Sequence, residues 1–392
     1  MRVQETYPLT MGQLSMWSAL AVRPPEQLWE SNQELAWSVP PGTTVEQVRY
    51  VLTALAVRHE SLRTVYLPAD DPGGVRQVVL PDPVVRFAEE SVREPFDLPR
   101  EPAWRAWFDG PDAAPPRVHL TIHHIAADGA AARILESDFH RLLRGDPLDD
   151  APTPREVADR QRGDAFQNRL TAAGDYRRRT VEAAPRTPVT RGPQVRACAH
   201  TGIPYGTACR AAQRLQVTPP NLLLAVYARA LAATTGAADQ LLWQLAANRL
   251  DRGVRHLVSS LTQWVPLLVR RGPDEALPAV AREVNVAAMR ALRHGVYDPF
   301  AGPRQDFDHG GYFTFVPPPA GPDPVPSEVL PRRVEWLSPR AHSGASFYLM
   351  VRAYPHIQLH LRTMRDGYGR GEADRFLTTM TDLLLHAVRE PA

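Results

Sequence analysis

The segment His123-His124-Ile125-Ala126-Ala127-Asp128-Gly129 follows a stretch, residues 118–122, in which apolar and polar side chains alternate. That alternation predicts a β-strand with one buried face. Residues 130–143, which come next, carry apolar side chains at helical spacing and predict an amphipathic helix. Two histidines therefore lie where a strand ends, a rigid platform that can hold a base in place. Because imidazole suits proton transfer near neutral pH, the pair is a candidate for acid–base chemistry.

The rest of the segment has its own expected roles. Asp128 could fix the loop by pairing with a buried arginine, and Gly129 permits a tight turn with an accessible amide. A metal site is not expected, because His119 and His123 share a strand face without a supporting carboxylate or cysteine. A serine hydrolase is not indicated, since no G-x-S-x-G segment is present. A histidine pair alone is more often structural than catalytic.

Strand and helix patterns alternate through both halves of the chain and indicate an α/β fold class. Further strands are predicted at residues 34–39, 64–67, 76–80, 104–108, 241–247, 263–270, 312–316, 346–352 and 357–362. Helices are predicted at residues 45–59, 155–182, 221–235, 275–294 and 371–388, with Thr43 or Thr44 capping the first and Asn221 the third. The chain has 392 residues, which is more than one ordinary hydrophobic core organises. The proline-rich residues 185–195 therefore mark a boundary between lobes 1–185 and 186–392.

Composition excludes several classes of function. The formal net charge is +2 and the basic residues form no stripe, so nucleic acid is not an expected partner. No apolar run of about 18 residues predicts a membrane span, and the N-terminus lacks the apolar core of a secretory signal. Cys198 and Cys209 have no metal-site spacing and are expected to be reduced and structural. We therefore expect a cytoplasmic protein.

The segment His123–Gly129 matches the pattern HHxxxDG, and other segments accompany it in a fixed order. With these segments the chain resembles condensation domains of nonribosomal peptide synthetases, which are acyltransferases with the chloramphenicol-acetyltransferase fold. The resemblance runs from about Tyr7 to about Val388. The other segments are Tyr7-Pro8-Leu9-Thr10 with Gln13 and Trp17, Arg58-His59-Glu60-Ser61-Leu62-Arg63-Thr64, Glu94-Pro95-Phe96-Asp97-Leu98, Asn248-Arg249, and Val265-Pro266-Leu267.

The resemblance implies two chloramphenicol-acetyltransferase-like lobes in a V-shaped pseudo-dimer, with a central tunnel and His124 near its middle. A carrier protein would deliver an acyl group on its phosphopantetheine thioester, and an amine or hydroxyl would accept it. His124, with His123 beside it, would position the acceptor and relay its proton. Gly129 would offer its amide to the oxyanion. Asp128 would form a structural salt bridge with Arg249 of the second lobe. No bound cofactor is implied, and members of the family are usually monomers.

The sequence leaves open what this member does. It starts at Met1 and contains no adenylation or carrier domain, so we expect a free-standing enzyme that meets its carrier in trans, with an excised domain as the alternative. A non-catalytic recruitment module and a coenzyme A-dependent acyltransferase are the competing functions. Both histidines are retained, which argues against the recruitment module. An epimerase is not indicated, because no matching glutamate-rich motif occurs in the second half. The small residues Ala130 and Ala131 after the motif predict an altered acceptor site.

Overall fold

A computed structural model of the chain describes residues 5–70, 73–90, 93–109, 116–186, 189–302, 305–318, 328–340 and 344–389. The chain divides into two compact units. The first unit consists of Met1–Thr171, Ala247–Gln263 and Val296–Gly302, and the second of Ala172–Ala246, Trp264–Gly295 and Pro303–Ala392. This division differs from a single boundary after residue 185, since two later segments return to the first unit. The prolines of residues 185–195 indicated a loop, but they carry no information about the core against which later segments of the chain pack.

The first unit is a small mixed α/β body. Its helices and strands are α1 (Met11–Leu20), β1 (Asn32–Ser38), α2 (Val45–Arg58), β2 (Thr64–Pro68), β3 (Val75–Val79), β4 (Trp104–Asp109), β5 (Arg117–His123), α3 (Gly129–Arg144), α4 (Pro154–Arg162) and part of α5 (Asp164–Glu182). Strands β1, β5 and β4 form an antiparallel sheet in that order, and β2 pairs with β3. The predicted strand before the histidines, β5, is thus central in its sheet.

Helix α2 confirms the helix that the spacing of apolar residues predicted for residues 45–59. Thr44 caps it: its side chain accepts from the amide of Gln47, and the Gln47 side chain accepts from the amide of Thr44. The apolar positions Val48, Leu52 and Leu55 are almost fully buried. They join the core of the first unit, which includes Trp37 of β1 and Leu120 and Ile122 of β5.

The second unit is built on a seven-stranded sheet. Its remaining elements are β6 (Arg191–Pro204), α6 (Tyr205–Arg214), α7 (Pro219–Thr235), β7 (Asp239–Ala246), β8 (Gln263–Arg270), α8 (Leu277–Arg293), β9 (Gly311–Val316), β10 (Arg333–Leu337), β11 (Phe347–Arg352), β12 (His356–Arg365) and α9 (Arg370–Arg389). The strand order is β10-β6-β12-β11-β9-β7-β8, with β7, β9 and β11 parallel to one another. Helix α7 is buried along most of its length and packs against α8 and α9.

Several sequence predictions were wrong in detail. The single helix predicted for residues 155–182 is two helices, because the chain leaves helical geometry at Gly163 between α4 and α5. Thr218, not Asn221, caps α7, and its side chain accepts from the Asn221 amide. Strand β6 and helix α6 were not predicted. Five of their seven buried apolar residues are alanine, whose small side chain gives a weak hydrophobic signal.

Candidate active site

Both histidines are held through their backbone at the end of β5. The His123 amide donates to the carbonyl of Ala103, 2.9 Å away, and the His124 amide donates to the carbonyl of Ser31, 2.8 Å away. Ala103 precedes β4 and Ser31 precedes β1, so the two neighbouring strands fix the chain from opposite sides. The positions of the two imidazoles are therefore set by the sheet itself.

His123 is buried, with 3% of its surface exposed. Its Nδ1 accepts a hydrogen bond from the Ile125 amide at 3.0 Å, so the proton of the neutral ring lies on Nε2. Burial lowers the pKa of His123 to about 3. This ring is therefore neutral at ordinary pH, and its nitrogen facing the loop is already used. The geometry fits a structural support for the loop better than proton transfer, although the sequence made His123 a catalytic candidate.

His124 is only partly buried and therefore differs from its neighbour. Burial lowers the pKa of His124, and the nearby negative charge of Asp128 and the backbone of Ala127 oppose that shift. The imidazole is consequently neutral near pH 7. A neutral imidazole that donates one N–H keeps a lone pair on its other nitrogen. His124 is thus arranged to accept a proton.

The loop between His124 and Asp128 is held by three side chains, one for each successive carbonyl. The Tyr66 hydroxyl donates to the Ile125 carbonyl at 3.5 Å, and the Ser61 hydroxyl donates to the Ala126 carbonyl. The Gln33 side-chain amide donates to the Ala127 carbonyl at 2.6 Å. Sequence analysis assigned none of these three residues a role. Ser61 lies in the segment Arg58–Thr64 that resembles the family, but no sequence pattern indicates a role for Gln33 or Tyr66.

Asp128 caps helix α3 and is 1% exposed. Its Oδ1 accepts from the amides of Ala130 and Ala131 at 3.1 and 2.9 Å and from Arg249 Nη2 at 3.0 Å. Its Oδ2 accepts from the Leu261 amide at 2.9 Å. Four donors therefore satisfy one buried carboxylate, which is the condition for a stable buried charge.

Arg249 is the partner that the sequence predicted for Asp128, and both residues belong to the first unit. The same guanidinium donates to the carbonyls of Val254, Leu257 and Ser259 at 3.1, 2.7 and 3.1 Å. The expectation that Arg249 belongs to a second lobe is corrected, because the segment Ala247–Gln263 packs with the first unit. The salt bridge joins this returning segment to the start of α3.

Gly129 does not make the tight turn that the sequence suggested. It is the first residue of α3, is exposed and lies outside the glycines with positive φ. A Cβ atom at this position would meet nothing within 4 Å. Amides of the first helical turn have no acceptor inside the helix, and Asp128 takes those of Ala130 and Ala131. The Gly129 amide belongs to the same first turn, and Asp128 does not take it.

Three further features bear on the chemistry available to the described residues. In this part of the chain, no group of three or more His, Cys, Asp or Glu side chains is arranged to hold a metal ion. No described helix combines the length and apolar character needed to cross a bilayer. Both cysteines are free thiols, Cys198 buried and Cys209 partly exposed.

The fold defined by these elements is shared with solved condensation and epimerization domains. The condensation domain that mediates chain release from the enacyloxin polyketide synthase superposes with a TM-score of 0.79 at 17% identity, over 100% of this chain and 84% of that one. The epimerization domain from the third module of tyrocidine synthetase B superposes with a TM-score of 0.75 at 14% identity, over 98% of each chain. The predicted chloramphenicol-acetyltransferase-like mixture of helix and sheet is confirmed.

Residues 3–300 match the condensation domain family, and the chain belongs to that family. AMB antimetabolite synthetase AmbB of Pseudomonas aeruginosa is 27% identical over 73% of this chain and 25% of its own length. Phosphinothricin tripeptide synthetase PhsC of Streptomyces viridochromogenes is 27% identical over 73% of this chain and 29% of its own length. The chain thus spans little more than a quarter of the length of these curated relatives.

Proposed function

We propose that this chain transfers an acyl or aminoacyl group from the phosphopantetheine thioester of a carrier protein, met in trans, to an amine or a hydroxyl. The product would be an amide or an ester in natural-product biosynthesis. The observation that carries the proposal is the state of His124, a neutral, partly exposed imidazole held by its backbone at a strand end. A cytoplasmic location and a monomeric state remain predictions.

His124 would act on the acceptor. The acceptor nitrogen or oxygen forms a bond to the thioester carbonyl carbon, and the carbon–sulfur bond breaks. The proton released by the acceptor passes through the His124 imidazole to the departing thiolate, so that no proton is gained or lost overall. Holding the acceptor and the thioester in line contributes as much to such a reaction as basicity does.

Gly129 would stabilise the charge that develops on the carbonyl oxygen. Its amide lies at the N-terminus of α3, where the helix carries partial positive charge, and the residue has no side chain to shield that end. A preorganised backbone donor of this kind stabilises an oxyanion most where water is excluded. His124 and Gly129 are five residues apart and joined by the loop that Gln33, Ser61 and Tyr66 hold.

The proposal is tested by acyl transfer with His124→Ala beside the unmodified protein. Donors are a set of acyl- and aminoacyl-loaded carrier proteins, acceptors are a panel of amines and alcohols, and products are identified by mass spectrometry. We expect product from the unmodified protein and a loss of about 10²–10⁴-fold in the variant. The matched control is His119→Gln on the same strand, where the imidazole stacks on Trp107 and pairs with Asp109; we expect it to retain activity.

Other outcomes select among the alternatives. Equal product from His124→Ala would mean that this residue does not carry the chemistry. Transfer from the coenzyme A analogue but from no carrier protein would favour a coenzyme A-dependent acyltransferase. Inversion of an aminoacyl centre without transfer would favour an epimerase. No product from any pair would favour a recruitment module.

A further inference from the structure

Helix α8 of the second unit has an outer face on which apolar side chains are exposed between arginines. The buried residues of the helix face the core of the unit. On the opposite side, one stripe at helical spacing consists of Arg282, Val286, Met289 and Arg293. Val286 is 60% exposed and Met289 is 46% exposed. A single exposed apolar residue is ordinary, but an adjacent pair that includes methionine, with arginine at each end, has the composition of a protein-binding surface.

The arginines of this face are not neutralised by carboxylates. Within the part of the chain that the structure describes, Arg282, Arg290 and Arg293 form no ion pair. Glu283, the acidic residue beside them on α8, is already used, because its Oε2 accepts from Arg271 Nε at 2.7 Å. The outer face of α8 therefore carries a net positive charge that a partner can neutralise.

The positive charge extends to the C-terminal end of the helix. The His294 ring stacks on the Tyr176 ring, with centroids 4.6 Å apart. Burial lowers the pKa of His294, and the charges of Arg179, Arg290 and Arg293 lower it further. Arginines near the C-terminus of a helix also favour its dipole. That effect accounts for Arg290 and Arg293 but not for the exposed valine and methionine between the arginines.

A groove runs between α8 and strand β8. It contains two adjoining cavities of about 490 and about 420 Å³, which share the lining residues Leu268, Arg270, Ala287 and Arg290. The larger cavity also reaches Val286 of the exposed stripe. The groove thus combines apolar and basic side chains beside a helix of 17 residues, which is about 25 Å long. These dimensions suit a second helix that lies along α8.

The backbone of β8 offers little to an added strand, although β8 is the last strand of its sheet. Pro266 has no amide proton, and its carbonyl accepts from the Tyr176 hydroxyl at 3.0 Å. The Arg270 amide donates to Glu283 Oε1 at 2.6 Å. An extended peptide would have to displace these partners in order to pair with β8. A ligand of this groove is therefore held through side chains, as a docked helix is.

We propose that the outer face of α8 is a docking surface for an acidic amphipathic helix of a protein partner. This surface, here called the α8 surface, comprises Arg282, Val286, Met289, Arg290 and Arg293. Apolar side chains of the partner helix pack on the valine and the methionine, and its carboxylates pair with the three arginines. The inference goes beyond the proposed acyl transfer and does not depend on it.

The probe for this surface is a synthetic helical peptide that has leucines along one face and glutamates beside them. It carries a fluorescent label, and its binding to the full chain is followed by fluorescence anisotropy. Two matched peptides replace the glutamates by lysines or the leucines by serines. We expect the acidic peptide to bind with a dissociation constant in the micromolar range and each matched peptide to bind at least about tenfold more weakly. Added salt should weaken the binding of the acidic peptide.

Substitutions locate the binding on the chain. Met289→Glu places a carboxylate in the apolar centre of the α8 surface and should weaken binding of the acidic peptide at least about tenfold, whereas Met289→Leu should retain it. The matched control is Val57→Glu on α2, where the valine is 56% exposed, and we expect it to bind as the unmodified protein does. Circular dichroism checks that each variant is folded.

Three results would overturn the proposal. The first is no binding of the acidic peptide by the unmodified protein, and the second is an equal loss in Val57→Glu and Met289→Glu. The third is a different occupant of the α8 surface. Binding to vesicles of anionic phospholipid but not to the peptide would assign the surface to a membrane, and a dimer that Met289→Glu dissociates would assign it to a second copy of the chain.

Discussion

Two clusters of histidines in this molecule contain similar types of residue but differ in structure. One is the site loop, residues 123–129, in the first unit. The other, here called the thiol cluster, comprises Cys198, His200, His360 and Glu335 on neighbouring strands of the second unit. In the ladder, Cys198 of β6 is paired with His360 of β12 on one side and Glu335 of β10 on the other. The Cys198 Sγ lies 3.7 Å from Nε2 of His200 and 3.7 Å from Nε2 of His360.

The clusters differ in what holds their imidazoles. In the site loop, the His123 ring bonds to a backbone group, because its Nδ1 accepts a hydrogen bond from the Ile125 amide. In the thiol cluster, the ring contacts are to side chains, such as a 3.3 Å contact between His360 Nε2 and Gln358 Oε1. Backbone groups in mid-strand are already used in the ladder, whereas those beyond a strand end are free to bond side chains. A strand end can therefore orient an imidazole in a way that an open sheet face cannot.

The largest predicted loss of stability comes from a substitution of Asp128 in the site loop. Replacing it with alanine strands the Arg249 guanidinium, whose side chain is 10% exposed, and removes the cap of α3. Losing one partner of a buried pair costs about 3–5 kcal/mol. We expect urea unfolding of Asp128→Ala, followed by circular dichroism, to show a loss of that size in the free energy of unfolding.

The control for this prediction is Asp97→Ala. Asp97 also pairs with an arginine, Arg100, but both side chains are exposed, at 45% and 84%. Such pairs contribute about 0–1 kcal/mol, so the loss should be small. Similar losses for the two variants would mean that burial does not distinguish the site-loop ion pair from a surface pair.

The next prediction concerns how the stability of the protein depends on pH through one histidine of each cluster. Burial lowers the pKa of His123 to about 3 and that of His360 to about 4, both below the ordinary value of 6.5. Between the native and unfolded pKa values the unfolded chain binds more protons, so stability is complete above about pH 6.5 and is lost as the pH falls toward 4. A buried histidine can contribute up to about 1.4 kcal/mol per pH unit in this window.

His123→Asn and His360→Asn separate the two contributions. An asparagine oxygen can accept from the Ile125 amide as Nδ1 does, without titrating. We expect the difference in unfolding free energy between pH 6.5 and pH 4.5 to shrink more in His123→Asn than in His360→Asn, because solvent reaches His360 and screens its charge. The same pH dependence in His123→Asn as in the unmodified protein would show that the buried ring does not control acid stability.

Sequence patterns predicted the local elements around the site and not the contacts that complete it. The strand before His123, the helix after Gly129 and the helix α2 follow from alternation, periodicity and capping within about 15 residues. Strand β6 was missed, although it lies between β10 and β12 in the sheet, because its inward residues Ala197 and Ala199 are small.

Contacts between distant segments carry no local signal. Gln33 and Ala127 are 94 residues apart, and one partner is a backbone carbonyl, which no residue pattern can report. Arg249 was placed beside Asp128 by family resemblance, but its packing within the first unit depends on carbonyls of residues 254–259 that face it only in the folded chain. The resemblance thus supplied the residue pair, and the structure supplied its surroundings.

The smallest expected effect concerns the thiol of the second cluster. Burial, with the negative charge of Glu335, raises the pKa of Cys198, so little of it is present as the reactive thiolate at neutral pH. In a Cys209→Ser background, where Cys198 is the remaining cysteine, we expect alkylation by iodoacetamide to be slower than that of a free thiol. Glu335→Gln should speed it by up to about fivefold, the factor for about 1 kcal/mol, and added salt should reduce that difference because Glu335 is exposed. Fast alkylation of Cys198 by the folded protein, measured by mass spectrometry, would mean that this open sheet face activates its thiol and that its histidines are better organised than their contacts indicate.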